Sequence, residues 1–104
     1  MIVQVTSSTA EEAAKIARSA VEQGLAASAQ TAPIQTIYRW RGQIVECAEY
    51  VVTLFTRAQV YGELEAFVRE RHSYEVPQIV ALPIVAGWPP FLQWIDENAG
   101  SRSE

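Results

Sequence analysis

IQTIYRWRGQIVECAEYVVTLFT, Ile34 to Thr56, is the stretch on which the fold turns. It is rich in β-branched and aromatic residues whose character alternates, the pattern of extended strands. Ile34, Thr36, Tyr38 and Trp40 share one face, and Gln35, Ile37, Arg39 and Arg41 share the other. Gly42 with Gln43 marks a tight turn, and the chain returns from Ile44 to Thr56. On the returning arm Ile44, Glu46, Ala48, Tyr50, Val52 and Leu54 alternate with Val45, Cys47, Glu49, Val51, Thr53 and Phe55. Both arms exceed the usual strand length of about five or six residues. So long an edge needs covering, and a small chain has little left to cover it. Oligomerisation through the hairpin is expected.

Upstream, IVQVT (Ile2 to Thr6) is a short β-branched strand. Thr9 with Glu12 three residues later matches a capping box, the carboxylate reaching back to the cap. Ala13, Ile16, Ala17, Ala20 and Val21 follow at helical spacing, and Gly24 suits a left-handed cap. This helix runs from Ala10 to Gln23, and its alanine face should lie close against a sheet. AASAQT (Ala26 to Thr31) is small and polar, and Pro33 breaks any helix, so extended structure begins at Ile34.

Downstream, Val60, Leu64, Phe67 and Val68 give a second amphipathic helix from Ala58 to Arg71. Pro77 ends the connection and Gln78 to Ile84 is a final strand. Pro83 inside it marks an edge or a bulge, because proline cannot donate to a ladder. Trp88, Phe91, Leu92 and Ile95 suit a short closing helix that starts at Pro89 or Pro90. Residues 1–98 make the domain, and AGSRSE (residues 99–104) is a frayed, flexible tail. The order β-α-β-β-α-β plus a small helix specifies an α+β, ferredoxin-like sandwich. Its four-stranded antiparallel sheet carries two helices on one face, with the last strand at an edge beside the first.

The totals exclude several functions. At 104 residues, 49% hydrophobic and 19% charged, the chain is one globular domain. A net charge of −4 argues against nucleic acid, which demands a basic footprint. The arm from Ile44 to Phe55 has no basic residue, which removes an RNA-recognition sheet. TSSTAEEA (Thr6 to Ala13) lacks the glycines of a phosphate loop; its hydroxyls serve as caps, with an anion at the helix start as the alternative. A lone cysteine, Cys47, forms no intrachain disulfide. No secretory leader pattern and no apolar run of roughly 20 residues is present, so a cytoplasmic protein without membrane contact is expected.

Candidate chemistry is sparse. Cys47 lies among Glu46 and Glu49, where negative neighbours disfavour a thiolate nucleophile, so it reads as a buried or interface cysteine. His72, the only histidine, has two readings. It is a metal ligand completed by Glu75, Glu70 or a neighbouring subunit, or a cation at a helix C-terminus beside Arg69 and Arg71. Tyr38, Trp40, Tyr50 and Tyr61 either line a pocket or form cross-strand and interface packing. An enzyme using His72 with Glu75 as acid and base is the weakest reading, since no nucleophile or cofactor motif accompanies the pair. No catalytic residue is assigned, and no cofactor is required.

YRWRG (Tyr38 to Gly42), LFTR (Leu54 to Arg57) and HSYEVPQIVALPI (His72 to Ile84) together resemble the CutA family of divalent-cation-tolerance proteins. LAAS (Leu25 to Ser28) and WPPFLQWIDEN (Trp88 to Asn98) extend the likeness over Ile2 to Asn98. The resemblance implies a ferredoxin-like fold, a homotrimer with strands crossing subunit boundaries, and clefts like those of P-II signalling proteins. It also implies a non-enzymatic, metal-responsive binding or signalling module, with Cu²⁺ or Zn²⁺ held by His72 and Glu75. The alternative it implies is a small metabolite in an inter-subunit cleft lined by Tyr38, Trp40 and Tyr74. The chain departs from the family at Ser28, where cysteine is usual, and at Phe55, where lysine is usual. Ser73 replaces a proline and Gln78 a frequent glutamate, while Val5 and Arg71 stand where some members have cysteine and histidine.

Overall fold

The computed structural model describes residues 1–100. Its elements in chain order are β1 (Ile2–Ser7), α1 (Ala10–Glu22), β2 (Ser28–Trp40) and β3 (Gln43–Phe55). A short 3₁₀ turn at Ala58–Val60 then leads into α2 (Tyr61–Arg71), followed by β4 (Ile79–Leu82) and α3 (Pro89–Asn98). The four strands form one antiparallel sheet in the order β2-β3-β1-β4. The expected α+β architecture is therefore present, with β4 at the edge beside β1.

Alternation decides which side of the sheet is buried. Val3 and Val5 of β1 lie opposite Leu54 and Val52 of β3, and all four are fully buried. Ala13, Ile16 and Ala20 of α1 and Leu64 and Val68 of α2 complete this core. Alanine on α1 removes side-chain bulk, so the helix backbone approaches the strands closely. Ile95 and Ala99 pack with Ala27 as a smaller second cluster.

Four boundaries differ from expectation. β2 begins at Ser28 rather than Ile34, because Ser28 to Pro33 pair with Phe55 to Tyr50 of the apolar half of β3. Pro33 is accommodated because β2 is an edge strand. The hairpin turn is Arg41-Gly42, not Gly42-Gln43: Trp40 pairs with Gln43, and the two turn residues have φ of 51° and 78°. Two-residue hairpin turns of this twist need positive φ at both central positions, and Gly42 adopts it without a steric penalty. β4 stops at Leu82, so Pro83 lies just beyond the strand instead of within it.

The fourth difference is the tail, which was expected to be free from Ala99 onward. Ala99 is fully buried, and the Gly100 N–H donates to the Gly24 carbonyl. Gly100 has φ of 83°, and a Cβ there would stand 2.7 Å from the Arg57 guanidinium and 2.9 Å from Val60. The rest of the expected tail, residues 101–104, lies outside the described residues.

Candidate functional site

The site is organised by the connection between α2 and β4. α2 ends at Arg71, and His72 follows in extended conformation. The His72 Nδ1 accepts the Tyr74 N–H at 3.1 Å, and Nε2 sits 2.5 Å from the Thr6 carbonyl oxygen. A ring nitrogen that accepts carries no proton, so Nε2 holds it and donates to Thr6: the ring is in its neutral Nε2–H form. The ring of Tyr74 lies 4.8 Å from that of His72.

Glu12 of α1 holds the same connection from the other side. Its backbone N–H donates to the Thr9 hydroxyl at 3.0 Å, as a cap requires. Its carboxylate does not reach back to Thr9 as expected of a capping box. It accepts instead from the Ser73 N–H at 2.8 Å, the Ser73 hydroxyl at 3.2 Å and the Ser7 hydroxyl. Burial raises the Glu12 carboxyl, but the bonds from Ser7 and Ser73 outweigh it and hold the group below its ordinary range. A depressed carboxyl contributes stability above the unfolded pKa of about 4.3, and that contribution is lost as pH falls through the folded value. Urea denaturation at stepped acid pH should therefore show a loss in the native protein that is absent in Glu12→Gln.

So anchored, the connection delivers Tyr74 to the sheet face opposite the α1–α2 core. The Tyr74 hydroxyl donates to Glu49 Oε2 at 2.6 Å. Burial, then the Glu49 bond and its charge, push the phenol up to about 12, so it donates as a neutral group. Glu49 is only 7% exposed. Around this pair opens a cleft of about 590 Å³, walled by Tyr38, Trp40, Tyr74, Glu49 and Glu75, with Thr6 beneath. That volume suits a small molecule.

The structure thus brings together Tyr38, Trp40 and Tyr74, the three residues expected to share a cleft. Tyr50 and Tyr61 are elsewhere: Tyr50 packs against the main core, and the Tyr61 hydroxyl donates to Glu65 at 3.0 Å. Glu49 was not foreseen. Its signal was present in the alternation of β3, which puts it on the face of Cys47 and Val45, opposite Thr36 and Tyr38 in register. Half-buried Cys47 lies on that same strand face.

Both ring nitrogens of His72, one half of the expected metal pair, are engaged in this arrangement. A metal takes a lone pair from a histidine nitrogen, and His72 has none free: Nδ1 accepts Tyr74 and Nε2 donates to Thr6. Among the described residues no group of three or more His, Cys, Asp or Glu side chains is placed to hold an ion. His72 is not the helix-end cation of the alternative reading; Arg71 lies there, its guanidinium 3.8 Å from the Phe67 ring and bonded to the Phe67 carbonyl.

The family model described as "CutA1 divalent ion tolerance protein" matches residues 1–98. The chain belongs to the CutA1 family. It is similar to the divalent-cation tolerance protein CutA of Thermus thermophilus, with 39% identity over 95% of this chain and 97% of that protein. Identity to the mouse protein CutA is also 39%, over 95% of this chain but only 56% of that longer protein. The solved Thermus thermophilus structure superposes with a TM-score of 0.91, covering 95% of this chain and 97% of that one. A structure described as the periplasmic divalent cation tolerance protein CutA from Archaeoglobus fulgidus gives 0.89 at 36% identity, over 93% and 95% of the two chains. Among the described residues of this CutA1 chain, no helix is long and apolar enough to cross a membrane.

Proposed function

We propose that this CutA1-family chain is a non-catalytic ligand-binding protein that assembles as a trimer and holds a small molecule in the Tyr38–Trp40–Tyr74 cleft. The observation that carries the reading is the Tyr74–Glu49 hydrogen bond, which ties a distant loop to a buried carboxylate beside two aromatic side chains. Acid–base catalysis by His72 with Glu75 is less well supported, because both ring nitrogens are engaged in backbone bonds. Assembly is supported by the hairpin, whose Ile37 and Ile44 share one face and are each about 60% exposed. Apolar residues left uncovered on a long hairpin suit a partner surface.

Light scattering should give about three times the chain mass of 11.6 kDa. Ile44→Asp should shift it toward a single chain, and a single-chain mass for the native protein would refute assembly. A thermal-shift screen of metabolite classes tests the cleft: one class should raise the melting temperature of the native protein but not of Trp40→Ala. A screen with no such class sinks it.

The second reading is metal responsiveness, favoured by the divalent-ion tolerance that gives the family its description. Copper or zinc would reach His72 only by breaking its bond to Thr6 or to Tyr74. Calorimetry with Cu²⁺ is expected to give the same result for the native protein and His72→Ala. A heat present in the first and missing in the second would restore His72 as a ligand.

A further inference from the structure

The charge pattern of the cleft narrows what it binds, and this step rests on the ligand-binding reading above. Glu49 is 93% buried by its exposure of 7%, yet no cation stands against it among the described residues. Its side chain has one partner there, Tyr74, which occupies Oε2. No buried polar side-chain atom among the described residues lacks a partner, so Oε1 is reachable from outside the protein. None of the described residues lining the cleft is lysine, arginine or histidine, and Glu75 adds a second carboxylate. Buried charges in proteins are ordinarily paired, because desolvation without a counter-charge is costly. The other walls are the aromatic side chains of Tyr38, Trp40 and Tyr74 with Thr6, Thr36, Val76 and Gln78 between them, and ring faces attract cations.

We infer that the cleft takes a small organic cation, an alkylammonium whose charge Glu49 balances and whose carbon atoms the Tyr38, Trp40 and Tyr74 rings cover. A phosphate or carboxylate ligand would meet two like charges at Glu49 and Glu75. A bare hard cation needs six or so oxygen donors converging on one point, and among the described residues no group of three or more His, Cys, Asp or Glu side chains is placed to hold one. An alkylammonium uses both parts of the lining at once, the carboxylate through charge and the rings through cation–π contact. The net charge of −4 favours its approach.

The test uses choline and its neutral isostere 3,3-dimethylbutan-1-ol as probes, titrated by calorimetry into the full chain in its native assembly. Choline should bind at least tenfold more tightly than the isostere. Glu49→Gln, which keeps an acceptor for the Tyr74 hydroxyl, should weaken choline by roughly tenfold or more, about 1.4 kcal/mol. Trp40→Ala should weaken both probes, and circular dichroism with a melting curve would confirm that each variant folds. Equal binding of choline and its isostere, or binding only of anions, would overturn the cation class and leave the cleft standing. No heat from either probe up to about 10 mM, a binding free energy weaker than roughly 3 kcal/mol, would overturn the cation class as well. If the thermal-shift screen is also blank, the cleft reading falls with it. If Glu49→Gln instead breaks the assembly while choline gives no heat, the counter-charge comes from a second copy of the chain and the inference fails.

Discussion

Tyr74→Phe should lower the unfolding free energy by about 1–3 kcal/mol at neutral pH, the range for stranding a buried polar group. Glu49 keeps its burial in the variant but loses the phenol that donates to it at 2.6 Å. Urea denaturation at pH 7, at one chain concentration, would show the deficit. Adding Glu49→Gln to Tyr74→Phe should recover part of the loss at pH 7, because the neutral amide is cheaper to bury. Equal stability of the native protein and Tyr74→Phe would mean that Glu49 does not depend on this bond. It would also remove the anchor from which the cleft is built.

The larger expected loss is in the core. Leu54→Ala should cost about 2–5 kcal/mol by the same measurement, from lost burial and the cavity left behind. Leu54 is fully buried, with Val3 across the β1 ladder and Ala29 across the β2 ladder. Small alanines on α1 and β2 offer few atoms that can move into the gap, which favours the upper half of the range. Val85→Ala gives the contrast, since Val85 is 92% exposed and its truncation should fall within about 0.5 kcal/mol. A Leu54→Ala loss as small as that of Val85→Ala would contradict the placement of β3 at the centre of the sheet.

Local pattern reached some features and missed others for identifiable reasons. The start of α1 was legible, because Thr9, Glu12 and the alanine spacing act within a few residues of one another. The start of β2 was not, because Ser28 to Pro33 are small or helix-breaking and become a strand only by pairing with β3. The turn was misplaced by one residue because Arg41 gives no sign of a positive φ; only the register of the two arms imposes it. Ala99 and Gly100 looked like a frayed tail, yet Ala27 and Gly24, far away in sequence, hold them in place.

The site divides in the same way. The amino-acid sequence by itself determined the fold class, the long hairpin and the family. These depend on alternation, helical spacing and short motifs, which are properties of neighbouring residues. The tertiary structure decided what His72 does. Its sequence context allowed a ligand or a helix-end cation, but Thr6, 66 positions away, claims one ring nitrogen and turns it into a tether for the Tyr74 loop. The structure also revealed Glu49, buried with a phenol as its partner. Burial and hydrogen-bond partners come from residues brought together by folding, so neither could be read along the chain.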